Sequence, residues 1–74
     1  MEKFVLRYRK KGYPQSVLDA VAALYGEAHG LRDCNCEIYH DFEELAVFGT
    51  DENGKIGEVT MPFSQLERWV KKLP

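Results

Sequence analysis

Asp51-Glu52-Asn53-Gly54-Lys55 is the stretch that decides the fold, because Asn-Gly is a strong short-range sign of a β-hairpin, and a hairpin fixes a register. A two-residue Asn53-Gly54 loop of type I′ predicts that Glu52 pairs with Lys55. Counting outward, Phe48 then faces Val59 and Ala46 faces Met61. Residues 44–51 and 56–63 form the two strands. Ala46, Phe48, Val59, Met61 and Phe63 share the expected inner face, while Leu45, Val47, Glu58 and Thr60 share the outer one. Pro62 lacks an amide donor and belongs at a strand end or a sheet edge.

Before this hairpin, residues 34–40 alternate as a strand, with Cys34, Cys36, Ile38 and His40 on the core side and Asn35, Glu37 and Tyr39 on the other. Residues 3–10 alternate Phe4, Leu6 and Tyr8 with Val5, Arg7 and Arg9, which predicts a first strand half-buried on the former set. Gly12-Tyr13-Pro14 is expected to break it. Pro14 or Ser16 then opens a helix with the apolar stripe Val17, Leu18, Val21, Leu24, Tyr25 and Ala28, ending near His29-Gly30. After the hairpin, Ser64-Gln65-Leu66-Glu67 has the form of a capping box, and Leu66, Trp69, Val70 and Leu73 continue at helical spacing. The expected fold class is α+β: a two-layer sandwich of order β-α-β-β-β-α, a mixed or antiparallel four-stranded sheet with both helices on one face. Residues 1–74 are expected to form one compact domain.

Composition narrows the function classes. The chain is 45% hydrophobic and 12% aromatic, enough for a core without a disulfide or metal staple. Its longest apolar runs fall far short of the roughly 20 residues that span a bilayer, and the first residues do not resemble a secretory signal. A cytoplasmic location, with two reduced cysteines and no membrane partner, is the expectation. The net charge of −2 hides an asymmetry. Lys3, Arg7, Arg9, Lys10 and Lys11 oppose only Glu2 in residues 1–13, whereas residues 14–63 carry ten acids against Arg32 and Lys55. Such blocks mark a polyanion-binding arm or an acidic binding surface, or are neutralised by strand pairing within the fold.

Catalytic chemistry finds little support. Cys34, Cys36 and His40 fall on one strand face, but about 20 Å separates the ends of an extended segment of that length, too far for one tetrahedral ion. Ser16 and Ser64 are explained as helix caps, and Glu43 and Glu44 are adjacent, so a strand sends them to opposite faces. No glycine-rich phosphate loop is present. The chain is therefore expected not to be an enzyme and to carry no metal, cofactor or catalytic residue.

Two surfaces stand out as candidate partner-binding sites. One is acidic: Glu37, Asp41, Glu43, Glu44, Asp51, Glu52 and Glu58. The other is an outer sheet face that mixes apolar and charged groups, Val5, Arg7, Arg9, Tyr39, Leu45 and Val47. Together they suggest a small non-enzymatic protein-binding or regulatory domain that covers a partner's surface. Phage and mobile elements use inhibitors of this kind against host enzymes that handle nucleic acid. A single-stranded nucleic-acid-binding domain built on Arg7, Arg9, Lys10, Lys11 and Tyr39 is the alternative from another class, with Glu37 and Glu58 on the same face opposing it. A homodimer closing two sheet faces together is the third.

Overall fold

The structure is a computed structural model that describes the backbone of residues 5–8 and 11–74 and the side chains of residues 12–74. Strands β1 (Val5–Tyr8) and β2 (Lys11–Pro14) lead into helix α1 (Gln15–Ala28). Strands β3 (Arg32–Tyr39), β4 (Glu44–Thr50) and β5 (Ile56–Pro62) follow, then the short helix α2 (Leu66–Val70). Single 3₁₀ turns, His40–Phe42 and Phe63–Gln65, precede β4 and α2. The fold is α+β, with a three-stranded antiparallel sheet of order β3-β4-β5 and a separate two-stranded hairpin, β1-β2.

The expected four-stranded sheet is thus corrected, among the described residues, to three strands and a hairpin. Gly12-Tyr13-Pro14 does not end the first strand's pairing; it supplies the returning strand, with Tyr13 opposite Leu6 and Pro14 opposite Val5. Proline is tolerated there because β2 ends at that residue and needs no further amide in the ladder. Residues 3, 4, 9 and 10 of the expected strand lie outside the described residues.

Helix α1 follows its apolar periodicity, burying Leu18, Val21, Ala22 and Tyr25. Pro14 occupies the N-cap without a side-chain bond, so Ser16 is not the cap. At the other end the amide of Leu31 donates to Gly26 O at 2.8 Å and that of Gly30 to Glu27 O at 3.1 Å. This is a Schellman motif, and it needs the left-handed conformation that Gly30 takes at φ 81°. The chain is thereby returned onto the sheet, where Leu31 is buried. Gly26 faces Cys34 and Val47 so closely that a Cβ there would collide with Cys34 Sγ.

The β4-β5 register differs from the expected one by a single residue. Leu45 pairs with Met61, Val47 with Val59 and Thr50 with Ile56. The cause lies in the turn. The amide of Gly54 donates to Asp51 O at 3.0 Å and the amide of Asp51 to Lys55 O at 2.8 Å, so the loop has three residues, Glu52, Asn53 and Gly54. Gly54 takes φ 79° while Asn53 does not have positive φ, which excludes type I′ and matches a type I turn followed by a left-handed glycine. The Asp51 carboxylate fixes this choice by accepting the amides of Asn53 at 2.8 Å and Lys55 at 2.9 Å.

A one-residue slip moves every side chain of β4 to the opposite face. Leu45 and Val47, expected outside, are fully buried, and Ala46 and Phe48, expected inside, are on the outer face. Val59, Met61 and Phe63 keep the inner placement expected of them. On β3 a bulge between Arg32 and Asn35, with Asp33 at φ 53°, precedes the regular alternation that turns Cys34, Cys36 and Ile38 inward. His40 leaves the strand for the 3₁₀ turn and is exposed.

One core cluster joins both helices to the same sheet face: Leu18, Val21, Ala22 and Tyr25 of α1 and Leu66 of α2 meet Leu45, Val47 and Met61. Each fully buried Leu, Val or Met side chain contributes about 1.5–3 kcal/mol. Tyr25 ties the layers together, packing edge to face on Trp69 at 5.0 Å and donating from its hydroxyl to Thr60 O at 2.8 Å. Trp69, Val70 and Leu73 pack on the cluster as expected, but Ser64 lies inside the 3₁₀ turn and no side chain caps either helical segment there.

Candidate partner-binding face

The outer sheet face is built row by row from the observed register. Tyr39 lies beside Glu44, Glu37 beside Ala46 and Thr60, Asn35 beside Phe48 and Glu58, and Thr50 beside Ile56. Neighbouring strands are about 4.8 Å apart, so these rows make a face about 10 Å across. Ile56 is 76% exposed at one end. At the other, Phe42 projects from the 3₁₀ turn, 73% exposed, with its ring edge to face with Tyr39 at 6.5 Å.

Tyr39 spans the face. Its hydroxyl reaches Glu58 Oε2 at 3.5 Å, from β3 to β5, so the side chain crosses β4 above Ala46. Only a small residue fits beneath, and Ala46 is 0% exposed although it points away from the core. Desolvation, then the charges of Glu58 and Glu37 and the bond to Glu58, raise the Tyr39 phenol above its ordinary value, so it stays protonated and donating. A shallow depression of about 400 Å³ runs along the same face, lined in part by Asn35, Glu37, Phe48, Thr50 and Ile56.

The seven candidate acids are not one cluster. Glu37, Glu44 and Glu58 belong to the face itself. Asp41 and Glu43 sit at the 3₁₀ turn beside Phe42, with Glu43 at φ 53°. Asp51 and Glu52 are at the hairpin tip, where the Asp51 carboxylate is already engaged by two amides. Of the candidate outer-face set, Tyr39 is in place, Leu45 and Val47 belong to the core, and the side chains of Val5, Arg7 and Arg9 lie outside the described residues. Phe42, Phe48 and Ile56 are the surface groups that sequence reasoning missed. The signal for Phe48 was Asp51, whose acidic side chain favours a type I turn and therefore the other register, whereas Ile56 has the parity of Glu58 and Thr60 and falls on the outer side in either register.

The cysteines are held as thiols. Burial, then the Asp19 charge and its hydrogen bond, push the Cys36 thiol up to about 11, and Gln15 offsets this slightly. Cys36 Sγ lies 3.8 Å from Asp19 Oδ1 and 3.9 Å from Leu18 O. Burial, then Asp33 and Glu27, raise Cys34 as well. A thiol held protonated is a poor nucleophile and metal ligand. Among the described residues no three His, Cys, Asp or Glu side chains gather where they could hold a metal ion. No helix among them is long and apolar enough to cross a membrane.

Compared with protein-family models, with curated proteins and with solved structures, the chain matches none.

Proposed function

We propose that this chain is a non-enzymatic protein-binding domain that acts by covering a basic partner surface with its outer sheet face. The observation that carries the proposal is the composition of that face. Ile56 and Phe42, both more than two-thirds exposed, and the half-buried Tyr39 and Phe48 alternate there with Glu37, Glu44 and Glu58. Exposed aromatic and aliphatic groups on a rigid sheet provide desolvated anchors, and the carboxylates around them select a cationic partner. In the inhibitor form of the proposal those carboxylates stand in for phosphates and occupy the basic groove of a host enzyme that handles nucleic acid.

A nucleic-acid-binding role has weaker support. Tyr39, its stacking residue, is flanked by Glu37 and bonded to Glu58, and those carboxylates repel a phosphate backbone.

The test is capture from native extract after nuclease treatment, with the wild-type chain beside the Phe48→Ala/Ile56→Lys and Glu37→Lys/Glu58→Lys variants. The proposal expects one dominant protein on the wild type, lost from both variants and weakened by salt. Retention unchanged in both variants, or retention only of nucleic acid, would sink it.

A further inference from the structure

Strand β3 is an edge. β4 pairs with one side of it, and among the described residues no strand pairs with the other. Along that side Gln15, the strand residues Cys36 to Tyr39 and His40 of the 3₁₀ turn line a trough of about 450 Å³. Consecutive strand residues point alternately to opposite faces, so the four of Cys36 to Tyr39 line one trough only where the strand's edge forms its wall. An open edge presents a row of N–H and C=O groups that accepts another strand. The bulge at Asp33 blunts the start of β3 and leaves Cys36 to Tyr39 regular.

The side chains of an added strand alternate between two environments. On the helix side they meet Gln15, Cys36 and Asp19, whose carboxylate is 3.8 Å from Cys36 Sγ. On the outer side they meet Glu37 and Tyr39. Both sides present an acid, so the complementary strand alternates and is cationic. The chain contains such a segment: residues 3–11 hold five Lys or Arg and no acid, interleaved with Phe4, Val5, Leu6 and Tyr8. Of this segment Val5–Tyr8 is β1 and Lys11 opens β2; among the described residues β1 pairs with β2 alone, which leaves β1 an open edge of its own. A two-stranded hairpin alone is marginal in water.

We propose that two copies of this chain associate by reciprocal strand addition, β1 of each pairing with the free edge of β3 in the other. The exchange closes about a two-fold axis and makes two five-stranded sheets, each with the basic hairpin of one copy against the acidic edge of the other. It does not depend on the outer face being a partner site: the two surfaces share Glu37 and Tyr39, but the edge is read by the backbone of β3, whereas Phe48 and Ile56 belong to the face alone.

Sedimentation equilibrium of the full chain, from micromolar to millimolar concentration and at low and high salt, reads the association directly. The expected mass is twice 8.5 kDa, with salt favouring the monomer. Glu37 is exposed, so Glu37→Lys leaves the fold intact and weakens dimerisation by about tenfold or more, because the symmetry repeats each lost ion pair. Glu52→Lys at the hairpin tip leaves it unchanged. Amide exchange at Cys36 to Tyr39 slows with rising concentration. A mass of 8.5 kDa throughout overturns the proposal, and so does a dimer indifferent to Glu37→Lys but broken by Phe48→Ala/Ile56→Lys, which would be face-to-face association.

Discussion

The two faces of β4 are made of nearly equal material and meet opposite fates. Leu45 and Val47 are sealed beneath α1, while Ala46 and Phe48, their immediate neighbours in sequence, look outward beneath and beside Tyr39. Hydrophobicity alone does not separate Leu-Ala-Val-Phe into an inside and an outside, since both parities are apolar. The separation comes from three to six residues away, where Asp51 chooses a three-residue loop over a two-residue one. In a strand that is apolar on both sides, the turn's polar chemistry and not the strand's own pattern sets the face.

The largest effect that can break this comparison is a core deletion. Leu45→Ala and Met61→Ala are each expected to cost about 2–5 kcal/mol in urea unfolding, whereas Phe48→Ala costs markedly less because its ring is only half-buried. Equal losses at Leu45 and Phe48 would contradict the assignment of faces. Gly26→Ala comes next, at about 1–3 kcal/mol, because the added methyl meets Cys34 Sγ. Combining it with Cys34→Ala removes the obstructing sulfur, so the double variant is expected to lose less than the two single losses added together.

The turn itself sharpens the comparison at a smaller scale. Asp51→Ala removes the acceptor of two amides and is expected to cost about 1–2 kcal/mol, while Asn53→Ala costs less, as its backbone does not have positive φ. A type I′ loop would reverse that order, because asparagine would then hold a left-handed position. A pH dependence comes last. The folded Cys36 thiol titrates at about 11 against 9.0 unfolded, so the unfolded chain releases its proton first and stability falls as pH rises from about 9 to about 11. Cys36→Ser should flatten that decline when unfolding is followed across the same window.

Legibility followed the strength of the local pattern. Helix α1 could be read because its stripe has a single period and ends at Gly30, whose left-handed conformation the sequence signals directly. β3 could be read because polar Asn35 and Glu37 interrupt Cys36 and Ile38. The first hairpin could not, because Gly12 and Pro14 look like breakers and yet are admissible at a strand that ends there. Glu37, Tyr39 and Glu58 of the candidate face were visible as polar positions between inward ones. Phe48 was hidden by the same ambiguity that misplaced Leu45 and Val47, Ile56 by its place at the first residue of β5, and Phe42 by a turn with no periodicity to read.

The most direct test of the account is the set of cross-strand proton contacts between β4 and β5 measured by NMR. The account predicts contacts of Leu45 with Met61 and of Val47 with Val59, with Phe48 opposite Glu58 on the exposed side. Contacts of Ala46 with Met61 and of Phe48 with Val59 would contradict it, returning Leu45 and Val47 to the outer face and taking Phe48 out of the surface on which the proposed function rests.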